Sequence, residues 1–321
     1  RSPCVVPDWE ENEDRDQGQA GWLMLASTGQ EDNPVPVVLE STDQETWTLI
    51  GPLSFDGDSG IPEDARTVAP RIIRLRDEVD GVIYDVLFLT QEREDGEVSG
   101  YLVGTLDGAE FRVTTPFSRL DYGHDFTRPR STNVVPGTQT DDERYAEARI
   151  FGLLASSGRG GDPTTQPTWA AEGWANALSL PRVVTLAGGK LYQTPAPGLP
   201  SAVGASERAM LWTGLCEIPV GSSITLDIVD SQGEICATIV HSGDKITLDR
   251  LDGQPAVAEL DDEDEDHISV LIDGSAIEIF AGGGAVTLAS RFWPDNGVAD
   301  IRTTIEGDAE INEQQRRGVN A

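Results

Sequence analysis

The sequence predicts an all-β chain in two parts, and three observations carry that prediction. Apolar runs are short, each is bounded by turn residues, and helical periodicity is scarce. After Trp174–Leu186 (WANALSLPRVVTL) the runs become regularly spaced, whereas before it longer irregular loops separate them. Between the two styles lies Thr194–Ala209 (TPAPGLPSAVGASERA), rich in Pro, Gly, Ala and Ser, which is the composition of a linker. Four-stranded propeller blades fit the first part and a β-sandwich fits the second. The expected division is residues 1–188, a linker over 189–204, and a sandwich over 205–321.

Trp22–Ser27 (WLMLAS) and Val35–Ser41 (VPVVLES) form the first predicted strand pair. Asp85–Gln91 (DVLFLTQ) and Gly100–Leu106 (GYLVGTL) form a second, and Ala148–Ser156 (ARIFGLLAS) follows. In the second part the predicted strands are Ser223–Val229, Glu234–Val240, Lys245–Leu251, His267–Ile272, Ala276–Phe280, Ala285–Ser290 and Ala299–Thr304. Asp273–Gly274 and Gly282–Gly284 supply glycine where hairpin turns need a positive φ.

The net charge is −33, from 56 acidic against 23 basic residues. Such a surface repels phosphate backbones and anionic lipid, so neither nucleic acid nor membrane is an expected partner. No run approaches the ~20 apolar residues of a membrane span. Glu10–Asp16 and Asp261–Asp266 read as solvated surface, and the second lacks the alternating spacing and turn glycine of a calcium loop. Cys4, Cys216 and Cys236 fall in no metal-ligand spacing, and a sparse, odd count suits a reducing cytoplasm. Cys216 and Cys236 lie in neighbouring strand-like runs and read as small buried hydrophobes within reach of each other. Gly158–Gly161 (GRGG) lacks the strand–loop–helix context of a phosphate loop, and His241 and His267 stand apart from any nucleophile pattern. No metal or cofactor is expected. The opening RSPCVVPDWEEN has neither an initiator Met nor a signal-peptide core, and reads as processed or as part of a longer chain.

Four segments in chain order resemble the family-32 glycoside hydrolases (β-fructofuranosidases), especially their bacterial sucrose-6-phosphate hydrolase branch. Asp121–Pro129 (DYGHDFTRP) is similar to the fifth-blade signature D-x-G-x-D-F-Y-A-P. Gly173–Leu186 (GWANALSLPRVVTL) resembles the last-blade strand, and Gly189–Leu199 (GKLYQTPAPGL) the start of the linker. Ser275–Pro294 (SAIEIFAGGGAVTLASRFWP) resembles a strand pair of the sandwich. The resemblance implies a partial five-bladed β-propeller of about three blades followed by a β-sandwich, covering the C-terminal three-fifths of the family. It also implies the chemistry, which is retaining hydrolysis of terminal β-fructofuranosides such as sucrose, sucrose 6-phosphate or short fructans.

The same resemblance locates the reacting positions. The family's transition-state-stabilising Asp lies in an R-D-P motif, whose counterpart here is Arg1-Ser2-Pro3, so Ser2 replaces it. Gly21–Ala26 and Ser41–Pro52 (STDQETWTLIGP) resemble the strand and the S-x-D-x-x-x-W turn that follow. The acid/base Glu belongs to a W-E-C-P motif, whose counterpart is Thr67-Val68-Ala69-Pro70, so Val68 stands there. The nucleophile's N-D-P motif has no counterpart in the chain. A retaining glycosidase needs two carboxyl groups about 5–5.5 Å apart. Valine carries no proton to give and serine no charge for an oxocarbenium ion, so this chain alone is expected to be inactive, a pseudoenzyme. Glu63 and Asp64, just ahead of that strand, are expected in solvent.

The implied substrate contacts are Arg1, Asp121, His124, Asp125 and Trp174, with Arg128 and Arg130 where the family has small and amide residues. The competing reading of Asp121, Gly123 and Asp125 is a blade-opening turn with Phe126 in the core. Trp169 and Trp174 are candidates for stacking on a sugar ring or for packing. The expected partner is a fructose-containing saccharide. Three functional readings stand at this point: a hydrolase of this class, a non-catalytic sugar-binding or scaffold protein, and a fragment completed by an upstream half. Open blade faces would favour self-association or pairing with such a half.

Overall fold

A computed structural model describes residues 3–8, 21–30, 33–94, 96–132, 141–155, 162–261 and 267–319. Arg1, Ser2, the acidic run at 10–16, the GRGG stretch and residues 262–266 lie outside the described residues. Among the described residues the structure is all-β, with 62% strand and 7% helix. Two compact units emerge, one comprising Arg1–Leu120, Thr127–Phe151 and Val184–Leu191, the other Asp121–Phe126, Gly152–Val183 and Tyr192–Ala321.

The first sheet is an antiparallel meander of β1 (Cys4–Asp8), β2 (Gly21–Gln30), β3 (Asn33–Ser41) and β4 (Thr48–Pro52). Along β2 only alternate side chains, Leu23, Leu25 and Ser27, are buried, as a half-covered strand requires. The S-x-D-x-x-x-W turn that follows β3 has a physical basis. Ser41 Oγ accepts from the Asp43 and Gln44 amides, and Asp43 Oδ1 accepts from those of Glu45 and Thr46. Those backbone bonds, Thr46 first and Glu45 next, hold the Asp43 carboxyl below its ordinary pKa.

The second sheet holds β5 (Ser54–Asp56), β6 (Arg66–Arg76), β7 (Ile83–Arg93), β8 (Gly96–Asp107) and β9 (Glu110–Arg119), in the order β5-β9-β8-β7-β6. Its centre is buried on both faces, so β6 runs as eight successive buried residues from Val68 to Leu75. Leu25 of the first sheet packs with Ile72, Leu87, Leu89, Leu102 and Phe111 of the second.

The third sheet comprises β10 (Phe126–Thr132), β11 (Ala148–Leu154), β12 (Ala177–Leu178), β13 (Arg182–Ala187) and β14 (Lys190–Pro195). Their order is β10-β11-β13-β14, with β12 on β11. Gly188 and Gly189, at φ 59° and 76°, make the tight β13–β14 turn, which needs two left-handed residues. Short helices α1 (Asp141–Arg144) and α2 (Pro167–Glu172) interrupt this part of the chain. Within the stretch expected as linker, Lys190–Pro195 is strand and Leu199–Gly204 is a short helix, α3.

The remaining strands are β15 (Ala209–Glu217), β16 (Ser223–Asp230), β17 (Ile235–His241), β18 (Lys245–Asp249), β19 (Ala256–Glu259), β20 (His267–Asp273), β21 (Ala276–Ala281), β22 (Val286–Arg291), β23 (Val298–Glu306) and β24 (Glu310–Gly318). They form two antiparallel sheets, β22-β21-β20-β15-β24 and β19-β18-β17-β16-β23. Trp212, Val270, Ile277 and Ile279 of one sheet share a core with Leu226, Ile239, Leu248 and Ile301 of the other. This is the sandwich. Gly274, at φ 58°, turns β20 into β21 as the Asp-Gly pair predicts. Cys216 of β15 is buried in this core, and Cys236 of β17, in the other sheet, is half-buried against it.

Candidate active site

Val68 lies in β6 opposite Thr90 of β7, with its side chain buried. The pairing slips between Val68 and Arg71, and Ala69 there takes a left-handed φ of 53°, a conformation that costs an L-residue energy. Glu63 and Asp64, in the turn before the strand, are exposed.

Cross-strand register builds a charged cluster around this position. Arg66 pairs with Glu92, Val68 with Thr90, Thr90 with Ser99, and Glu92 with Glu97. Because strand side chains alternate, these residues share one face of the sheet. Two carboxylates opposite each other repel unless a cation intervenes. Arg128 of β10 supplies it. Its Nε donates to Glu97 at 2.9 and 3.1 Å, and its Nη2 donates to Glu92 at 2.8 Å and to Glu97. Thr127 Oγ1 donates to Glu97, and Arg66 Nη2 reaches Glu92 at 3.1 Å. Burial pulls the Arg128 pKa down, but the bonds to Glu97 and Glu92 outweigh it and the guanidinium is held above its usual value. Arg128 achieves this at a left-handed φ of 49°, with its amide donating to Ser99 Oγ at 3.0 Å. Sequence reading passed over Glu92 and Glu97, because EREDGE between two strands reads as a solvated turn. Only the register shows that the two carboxylates meet.

In the other unit, the 121–126 segment lies against β22. Asp121 Oδ1 accepts from the Gly123 and Ala289 amides, and its Oδ2 accepts from Arg182 Nη2 at 2.9 Å and from Thr287 Oγ1 at 3.1 Å. Gly123 approaches so closely that a Cβ there would meet the Ala289 carbonyl oxygen at 2.2 Å. Arg182 is fully buried, donates also to Glu278 at 3.0 Å and to Gln193, and stacks over Phe126 at 4.3 Å. Burial raises the Glu278 pKa, against the pull of Arg182 and the Leu180 amide.

His124 is fixed by both ring nitrogens, with Nδ1 2.7 Å from Ser290 Oγ and Nε2 2.6 Å from the Gln254 carbonyl oxygen. The carbonyl requires a proton on Nε2, leaving Nδ1 to accept from the serine in the neutral ring. Burial lowers the His124 pKa accordingly. Asp125 Oδ2 accepts from the Arg291 amide at 2.6 Å and from Arg250 Nη1 at 3.2 Å, while Oδ1 is buried without a partner. Burial raises this carboxyl despite those two donors. Trp174 is 38% exposed and Trp169 43%. Trp174 Nε1 donates to Glu172 at 2.7 Å.

The sheets define a fold class, β-propeller blades followed by a β-sandwich. Comparison with known proteins narrows it. The family model "Glycosyl hydrolases family 32 N-terminal domain" matches residues 14–195, and "Glycosyl hydrolases family 32 C terminal" matches 221–315. The chain belongs to glycosyl hydrolase family 32. A sucrose-6-phosphate hydrolase from Bacillus subtilis is 25% identical over 91% of this chain and 63% of its own length. One from Vibrio alginolyticus is 32% identical over 55% of the chain and 36% of its own length. Among solved structures, a Bombyx mori β-fructofuranosidase aligns with TM-score 0.68 at 19% identity, over 97% of this chain and 65% of that one. An exo-inulinase from Aspergillus awamori aligns at 0.72 and 14%, with the same two coverages. These likenesses show the propeller-plus-sandwich fold. The chain spans less than two thirds of the length of the curated relatives it matches.

Proposed function

We propose that this chain binds terminal β-fructofuranosides, such as sucrose, sucrose 6-phosphate or short fructans, without hydrolysing them alone. The observation that carries the reading is Val68, a buried apolar side chain at the position the family motif assigns to its acid/base. A general acid must hold a transferable proton near the leaving oxygen. The carboxylates that share the Val68 face, Glu92 and Glu97, are instead both bonded to the Arg128 guanidinium. The substrate class is supported by the relatives' names, which include several sucrose-6-phosphate hydrolases and a raffinose invertase from Escherichia coli.

The test is calorimetric titration with each saccharide alongside a glucose-release assay. Saturable binding with release at the no-protein background is expected, since loss of a catalytic set that acts as a unit costs several powers of ten. Val68→Glu alone should not restore turnover. Turnover that Glu92→Gln or Glu97→Gln abolishes would overturn the reading and move the chemistry to that pair. Absence of saccharide binding would overturn it as well.

A further inference from the structure

A cavity of about 530 Å3 opens in the sandwich beside the β16–β17 hairpin, the end of β18 and the segment after β22. Its walls include Asp230, Cys236, Arg250, Asp252, Trp293 and Asn296. The size falls within the range of small-molecule sites, roughly 300–1,000 Å3. No residue of the 67–69 or 92–97 stretches lines it.

The chemistry of the walls narrows the ligand. The lining acids, Asp230, Glu234, Asp252 and Asp295, outnumber the lining cations Arg250 and Arg291, leaving a formal charge of −2 (four against two). That balance disfavours phosphate or carboxylate ligands. A metal ion is not favoured either, because no group of three or more His, Cys, Asp or Glu suited to metal binding occurs among the described residues. Asp230 is already engaged. Its Oδ1 accepts from the Gln232 and Glu234 amides and its Oδ2 from Asn296 Nδ2.

What remains is an aromatic wall with hydrogen-bonding groups around it. Trp293 is half-buried, and the Arg291 guanidinium lies 4.5 Å from its ring centroid. Arg291 is itself fully buried and tied to Ser275 through Nε at 3.2 Å and Nη2 at 2.8 Å. The indole therefore rests on a rigid backing, and a fixed aromatic plane loses little entropy when a ring stacks on it. Asp252 and Asn296 are exposed at the rim, and a hydroxyl of a neutral ligand can donate to the carboxylate and accept from the amide. We propose that this cavity is a second, non-catalytic saccharide site, in which a neutral sugar ring stacks on Trp293 and its hydroxyls bond Arg250, Asp252 and Asn296.

Cys236 provides a local reporter, because it is a half-buried free thiol in the cavity wall. The intact protein is alkylated with iodoacetamide in alkaline buffer, with and without a neutral fructo-oligosaccharide, and labelling is followed by peptide mass spectrometry. The saccharide is expected to slow labelling of Cys236 and not that of Cys4. Trp293→Ala should raise the concentration needed for protection by about tenfold, the equivalent of one lost stacking contact, and Trp293→Phe should retain most of it. Equal Cys236 labelling at saturating saccharide would overturn the proposal, as would full protection in Trp293→Ala. The fructoside-binding reading is judged separately. Calorimetric binding that survives in Trp293→Ala while Cys236 is never protected sinks this site and leaves that reading standing. Protection of Cys236, with all calorimetric binding weakened about tenfold in Trp293→Ala in step with that protection, leaves this site standing as the sole one and sinks binding at the 121–125 and Val68 positions.

Discussion

Arg182 shows how a motif residue acts as a structural tie. Its guanidinium is fully buried and holds two carboxylates, Asp121 and Glu278, that would otherwise lie uncompensated in the interior. Breaking a buried pair from one side is costly, so Arg182→Met should destabilise unit 2 by about 3–5 kcal/mol in urea unfolding. Adding Glu278→Gln to that variant should recover part of the loss, and no recovery would show that packing over Phe126 dominates. The neighbouring pair predicts opposite pH responses. His124 binds its proton less tightly when folded, so its contribution to stability is full above about 6.5 and is lost as pH falls from there. Relative to His124→Asn, the wild type should therefore lose stability on acidification through that window. Asp125 is raised, so the folded state holds its proton longer than the unfolded chain does. Its contribution is lost as pH climbs from about 3.9 to the raised value, and Asp125→Asn should gain on the wild type over that span. Urea midpoints measured from pH 4 to 8 check both signs.

At the scale of elements, local sequence and register divide the work. The Asp273–Gly274 hairpin and the Ser41–Trp47 turn are legible because their side chains satisfy their own backbone. Strand β24 is not. Residues 310–318 (EINEQQRRG) are largely exposed and carry no alternation, and only pairing with β15 makes them a strand. The 121–126 segment is an intermediate case, since D-x-G-x-D reads equally as a turn and as a polar site. Its contacts with β22 show Gly123 to be the steric limit. Gly123→Ala must push the segment off Ala289 and is expected to cost about 1–3 kcal/mol, read as a lowered unfolding midpoint. A neutral outcome would mean that the backbone shifts freely there. The same limits apply to the candidate site. The apolar run that buries Val68 was legible in the sequence, whereas the Glu92–Glu97–Arg128 cluster was not, because its three members come from two hairpin arms and a strand some thirty residues away.

For the whole molecule the governing quantity is the net charge of −33. Self-repulsion among exposed carboxylates opposes the compact state, and salt screens it over a Debye length that falls from about 10 Å at 0.1 M to about 3 Å at 1 M. The melting temperature should therefore rise between 0.1 and 1 M sodium chloride. A flat or falling curve would mean that the ion pairs such as Arg128–Glu97 and Arg74–Asp85 matter more than the general repulsion. Light scattering over the same series tests the expected self-association, which screening should promote.

The sequence by itself determined the all-β class and the family. Apolar spacing, turn chemistry and motif order are local properties, and each is written in consecutive residues. The tertiary structure alone decided which carboxylates meet which guanidinium groups, that Cys216 and Cys236 belong to different sheets, and that Trp293 stands on a buried Arg291. Those outcomes depend on strand register and on packing between residues far apart in the chain. A one-residue slip moves a side chain to the opposite face, and no local pattern of charge or hydrophobicity specifies the partner it finds there.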